Sequence, residues 1–196
     1  IGLTPNRSDA MGHIGVARDL MTVLNHKGNK LQMCKPSTKK FKVDNTNKTI
    51  TIEVADADLC PRYSGLSISG VKVADSPEWL QNKLKAIGIT PTNNVVDISN
   101  YVLYETGQPL HAFDLARVEE NKIVVATVKE KTKFTALDEQ ERELSADDLM
   151  ISDAKKPLCI AGIFGGLESG VTEKTTDIFL ESAYFNPVSV RKSAKR

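Results

Sequence analysis

Apolar positions recur at helical spacing near the start of the chain. Ile14, Ala17, Met21 and Leu24 share one helix face, Ser8 or Asp9 is placed to cap it, and Gly28 to stop it near Asn25. Residues 27–49 lose this rhythm. They are polar and rich in lysine (Lys35, Lys39, Lys40, Lys42) and read as a connector with one strand at most. From Thr49 to Val54 the period changes to two, the mark of a strand, and Tyr63 to Val73 is a second β run. Ser76-Pro77-Glu78 then predicts a helix start, with a hydroxyl cap, proline in the first turn and an acid near the positive end of the dipole. That helix carries Trp79, Leu80, Leu84 and Ile87 up to Gly88, and another runs from about Asn94 to Glu105 before Gly107. Five β runs follow, at Lys122–Val128, Lys133–Ala136, Leu149–Ser152, Leu158–Ile163 and Ile178–Ala183. Asn186-Pro187 opens a last helix carrying Arg191, Lys192, Lys195 and Arg196. Strands and helices do not alternate as βαβ units. The pattern predicts an α+β fold, with mostly antiparallel or mixed sheets in a sandwich-like layered arrangement and flanking helices. The expected division is 1–48, a helix and connector, and 49–196, a main domain with two intertwined subdomains as an option.

Composition narrows the function classes. With 196 residues and 40% hydrophobic positions the chain can fold without disulfides or metal. No apolar run approaches the ~20 residues that span a bilayer, so no membrane partner is expected. The 26 basic and 25 acidic residues leave a net charge of +1, too little for a domain held on nucleic acid mainly by its own charge. Cys34, Cys60 and Cys159 are odd in number and far apart, which suits a reducing compartment better than a secreted disulfide scaffold. His13, His26 and His111 are scattered, so no metal site is expected. The chain starts at Ile1 and stops at Arg196 inside a helical pattern, which suggests a segment of a longer polypeptide.

Three stretches could carry chemistry. Ala161 to Gly170 holds four glycines after a strand, which suits either amides lining a pocket or a tight turn; it is neither a P-loop nor a GxGxxG motif. His111 follows a proline-stiffened loop in Gly107-Gln108-Pro109-Leu110-His111-Ala112-Phe113-Asp114. It projects into a cleft or bonds locally, with Asp114 capping the next turn. Glu181 interrupts an apolar strand and is either buried with a partner or on an exposed face. Asp56, Asp58, Asp147 and Asp148 lack metal-loop spacing and read as solvated surface. The basic cluster at 191–196 suits phosphate contact or a solvated helix face equally.

Taken in order, three blocks resemble a known family. They are Thr4-Pro5-Asn6-Arg7-Ser8-Asp9 with Gly15-Val16-Ala17-Arg18; Val95 to Val102 with Gly107 to Asp114; and Gly162-Ile163-Phe164-Gly165-Gly166 with Ser169-Gly170-Val171, Leu180-Glu181-Ser182-Ala183 and Arg191-Lys192. Together they resemble the β subunits of bacterial phenylalanyl-tRNA synthetases, in the central tRNA-editing domain. The likeness covers nearly the whole chain and is weakest over residues 27–60. It implies hydrolysis of the ester joining tyrosine to the 3′ end of tRNA(Phe), because an apolar phenylalanine pocket rejects an added hydroxyl by only ~10²-fold. By the same resemblance Glu181 reads the tyrosine hydroxyl, His111 lies near the ester as the catalytic candidate, Gly165 leaves room for the ring, and Gly166 and Asn100 join the substrate-binding set. It further implies an α subunit partner in a heterotetramer, a cytoplasmic location, and no cofactor in this segment, with ATP and Mg used at the α subunit's site. This segment alone would not aminoacylate.

Two departures stand against the full pattern. Thr90 falls where some relatives carry Arg, and the family's small hydroxyl and alanine pocket positions come after Arg196. The competing reading is a structural or tRNA-docking module of the β subunit without hydrolytic activity. A third, apart from the resemblance, is an unrelated small-molecule-binding α+β domain.

Overall fold

In a computed structural model the described residues are 2–195. In chain order they form α1 (His13–His26), β1 (Thr51–Val54), β2 (Arg62–Ser69), α2 (Glu78–Ala86), α3 (Asn94–Thr106) and β3 (His111–Asp114). Then come β4 (Lys122–Thr127), β5 (Thr132–Thr135), β6 (Glu141–Leu144), β7 (Leu149–Ser152), β8 (Pro157–Ile160), β9 (Phe164–Gly165), β10 (Asp177–Tyr184) and α4 (Pro187–Ser193). The fold is α+β. The chain divides into two compact units, Ile1–Thr46 with Asp75–Leu110, and Asn47–Ala74 with His111–Arg196.

The first unit is helical, with α3 packed against both α1 and α2. Its caps differ from the predicted ones. Neither Ser8 nor Asp9 caps α1, which starts after Gly12 without a side-chain cap. Asp9 instead pairs with Arg7 and Arg18, and Arg7 also reaches Asp19. A guanidinium draws the carboxylate more strongly than a backbone amide does. Ser76 does not cap α2 either; its hydroxyl donates to Asp97. Asn93 does cap α3, accepting from the amides of Val95 and Val96. Gly107 ends that helix at φ +83, a left-handed conformation that a side chain would strain. Residues 27–49 hold no strand.

The second unit carries all the sheets. One has the order β1-β4-β7-β8-β9, the second β2-β10-β3 and the third pairs β5 with β6. Only β1 with β4 is parallel; the other pairs are antiparallel. Inward residues of the first sheet (Ile123, Val125, Ile151, Cys159) and of the second (Phe113, Phe179) share one buried core. The layering follows from alternation, which gives each sheet one apolar face to bury against the other. Asn186 caps α4 by accepting from Val188 and Ser189. Lys195 lies past the end of α4, and Arg196 lies outside the described residues. Asp148 is not solvated surface: it is buried, accepting from the Ser193 hydroxyl and the Ser145 amide.

Candidate functional site

β10 runs through the middle of its sheet, and its register assembles the site. Glu181 stands directly opposite His111 on β3 and Gly65 on β2. Directly opposed residues of antiparallel strands project to the same face, as do residues two apart. Glu181, His111, Phe113, Phe179 and Tyr63 therefore share one face, and that face is the core side. Phe179 is 1% exposed and Phe113 is fully buried. The Phe179 ring lies over Gly65, where a Cβ would come within 2.1 Å of it, so only glycine lets the ring settle there.

Glu181 is 6% exposed, which excludes the exposed-strand reading. Its Oε2 accepts a hydrogen bond from the Tyr63 hydroxyl at 2.7 Å. Burial raises its carboxyl from the usual 4.5 to about 7, and the Tyr63 bond pulls in the other direction. The same burial, reinforced by the nearby Glu181 charge, raises the Tyr63 phenol and lifts the Cys60 thiol to about 11; Cys159 is raised for the same two reasons. The carboxyl is therefore largely desolvated, with one neutral donor and no cation among its partners, so its charge is poorly compensated.

His111 packs edge-on against Phe113, with ring centroids 4.5 Å apart. Its Nε2 is buried without a hydrogen-bond partner, the only such side-chain atom among the described residues. Burial holds the imidazole below its ordinary value, hence neutral at pH 7. The local-bonding alternative fits Asp114, which caps the next turn by accepting from Ala116 and also accepts from the Thr175 hydroxyl. His111 Nε2 takes no part in that network.

Gly165 closes the third side. A Cβ there would stand 3.0 Å from His111 Cε1 and 2.9 Å from Leu137 Cδ1. Gly166 follows at an isolated bridge to Ala136, its own space limited by the Leu158 carbonyl and the Phe134 ring. The glycine-rich stretch fits the turn reading, with the Ile163 and Gly166 amides donating to the Ile160 and Leu158 carbonyls, and Gly165 lacks a side chain beside His111.

The structure brings Glu181, His111 and Gly165 together, with Gly166 adjacent to Gly165 in sequence. Asn100 belongs to the other unit, half-buried on α3, as does Thr90, exposed between α2 and α3. A surface cleft lined by Leu59, Thr127, Asn186, Val188 and Lys192 contains none of the candidate residues. Among the described residues no three His, Cys, Asp or Glu side chains are grouped to hold a metal. The three cysteines are free, Cys34 exposed and the other two buried. The residue that sequence reasoning missed is Tyr63. The available signal was a tyrosine inside a β run, since a buried phenol needs a partner, but nothing in the sequence pointed to Glu181 as that partner.

Comparison with known proteins bears on this geometry. The B3/4 domain profile matches residues 59–196. The whole chain is 52% identical to part of the phenylalanine–tRNA ligase beta subunit of Bacteroides thetaiotaomicron and 55% identical to that of Porphyromonas gingivalis. It spans about a quarter of the length of either relative, 24% in both cases. A crystal structure of an N-terminal fragment of the phenylalanyl-tRNA synthetase beta subunit from Pyrococcus horikoshii superposes with a TM-score of 0.55 at 15% identity. It covers 94% of this chain and 54% of the archaeal one, and supports the fold alone. The chain is therefore similar throughout to a segment of aminoacyl-tRNA synthetase β subunits, and it belongs to the B3/4 domain family.

Proposed function

We propose that this segment edits mischarged tRNA, hydrolysing the ester between tyrosine and the 3′ adenosine of tRNA(Phe) within a phenylalanine–tRNA ligase. The observation that supports this reading best is the convergence of a buried acid, a neutral histidine with an unpartnered buried nitrogen, and a glycine without which the histidine would be crowded. A carboxylate in an apolar site favours a ligand that brings a phenolic donor and disfavours one that leaves the site unpaired. Phenylalanine and tyrosine differ in that one group.

The ester is already activated, so positioning does much of the work. Water attacks the ester carbonyl carbon, the bond from that carbon to the ribose oxygen breaks, and tyrosine departs as its carboxylate. The ribose oxygen takes one proton of the water, and the other passes to solvent as the carboxylate forms. In this reading the free Nε2 of His111 orients the water or the terminal ribose, and its neutrality at pH 7 lets a ring nitrogen accept a hydrogen bond. Gly165 gives the aromatic ring space. Gly166, next to it, joins the substrate-binding set, and the family resemblance assigns Asn100, on α3, to substrate binding as well. The segment needs no cofactor for this step; ATP and Mg serve the activating centre of the α subunit, its partner in a cytoplasmic heterotetramer.

The docking-module reading draws on one observation, that Tyr63 already occupies Glu181 Oε2. A deacylation assay on tyrosyl-tRNA(Phe) decides between them. Glu181→Ala in the full β subunit, assembled with its α partner, is expected to slow tyrosine release by about 10- to 100-fold with phenylalanine charging intact. Unchanged deacylation would favour docking alone.

A further inference from the structure

Tyr63 is not among the residues that the family resemblance assigns to the site, yet it makes the closest polar contact to the proposed specificity residue. Its hydroxyl donates to Glu181 Oε2 at 2.7 Å. Among the described residues this is the only hydrogen bond to that carboxylate, so Oε1 has none. The contact is built into the sheet. Tyr63 pairs with Ala183 and Glu181 with Gly65, so the two side chains are diagonal neighbours on one face, and at position 65 no side chain stands between them. Diagonal neighbours lie ~7–8 Å apart at the backbone, a gap that a long aromatic side chain spans.

A carboxylate has two oxygens and about four acceptor positions. One phenol on Oε2 leaves Oε1 for a second. A carboxyl on a flexible two-methylene stem would otherwise sample several rotamers, and fixing it beforehand lowers the ordering cost of ligand binding. On the reading that Glu181 recognises the tyrosine hydroxyl, we propose that Tyr63 is the positioning residue of this specificity site: its phenol holds Oε2 so that Oε1 is presented to the phenol of the mischarged tyrosine. The protein thus carries one copy of the contact it selects for, and the substrate supplies the second.

The groups around the carboxyl sharpen the idea. They are Tyr63 from β2, Cys60 just before it, Cys159 from β8 and His111 from β3, and none is a cation at neutral pH. Tyr63 is thus the one group that helps the acid ionise. Without its hydroxyl the carboxyl should titrate higher, and a protonated acid is a weaker acceptor.

The test uses the full β subunit in its complex with the α partner. Tyr63→Phe keeps the ring and removes the donor. It is expected to lower the preference for deacylating tyrosyl- over phenylalanyl-tRNA(Phe) by about tenfold. The carboxyl infrared band, assigned by its loss in Glu181→Gln, should show an ionisation midpoint moved upward. An unchanged preference and midpoint would overturn the proposal, as would a rise in preference, which would make the phenol a plug. Should Tyr63→Phe not fold, 3-fluorotyrosine at position 63 keeps ring and hydroxyl but donates more strongly; the midpoint should then fall, and no movement overturns the proposal. Glu181→Ala run alongside separates two failures. If it leaves tyrosine preference intact, the reading of Glu181 falls; if it abolishes preference while Tyr63→Phe leaves preference and midpoint unchanged, only the role of Tyr63 falls.

Discussion

Two buried acids, one in each unit, show how differently one chemistry can be used. Asp97 in the helical unit is fully buried, and its neighbours satisfy it: Oδ2 accepts from the Ser76 hydroxyl and Oδ1 from the Thr92 amide at 2.9 Å. Glu181 in the sheet unit is nearly as buried but has a single neutral donor, and its carboxyl is raised to about 7. The first arrangement ties together the chain before α2, the loop ahead of α3 and α3 itself. The second leaves an acid under-compensated, a costly arrangement for stability and a useful one for recognition. Burial alone therefore does not distinguish these two acids; the number and kind of their donors does.

The largest expected effect breaks the first arrangement. Asp97→Ala strips the acceptor from a buried hydroxyl and an amide, and should destabilise the protein by about 4 kcal/mol, measured by denaturant unfolding. The loss is expected in unfolding because Ser76 and Thr92, the partners of Asp97, keep no other acceptor of that strength.

Glu181→Gln should act in the opposite sense and with pH. A carboxyl whose folded value is raised gives stability that is fully present below 4.5 and is lost as pH rises through about 7. The glutamine protein should therefore match the parent near pH 4 and exceed it by up to ~3 kcal/mol at pH 8, while losing tyrosine preference. Equal stability at both pH values would mean that the carboxyl is better solvated than its burial implies.

A smaller effect is expected at the glycine wall. Gly165→Ala places a methyl 3.0 Å from His111 Cε1 and should cost about 1–2 kcal/mol, slowing deacylation more than it weakens the fold. The smallest concerns His111 itself. Its depressed folded value gives stability that is present above 6.5 and lost as pH falls. His111→Phe should flatten that acid limb in an unfolding series between pH 7 and pH 5 and abolish deacylation.

Much of the scaffold was legible because local physics sets it. The Thr51–Val54 strand, the helix stop at Gly107 and the Asn186-Pro187 helix start follow from alternation, left-handed backbone and capping, all properties of a few neighbouring residues. Asp9 and Ser76 were misread as caps because their side chains have other partners, Arg7 and Arg18 for Asp9 and, 21 residues away, Asp97 for Ser76; Ser8 lies ahead of the helix start and does not cap it. The short strands β3 and β9 lay in segments read as loop, where Pro109 and the clustered glycines signal turns more strongly than so few residues signal a strand.

The sequence by itself determined the α+β class, the main elements and, through three ordered motif blocks, the family and its candidate residues. Tertiary structure decided which of those residues meet. Sheet register set Glu181 opposite His111 and brought Tyr63 within one hydrogen bond across 118 positions of sequence. Asn100 belongs to the other unit, and the histidine has a buried nitrogen without a partner. The physical reason is that burial and hydrogen-bond partnership are properties of three-dimensional neighbours. A strand announces its period in its own residues, but only pairing determines which donor reaches a buried acid.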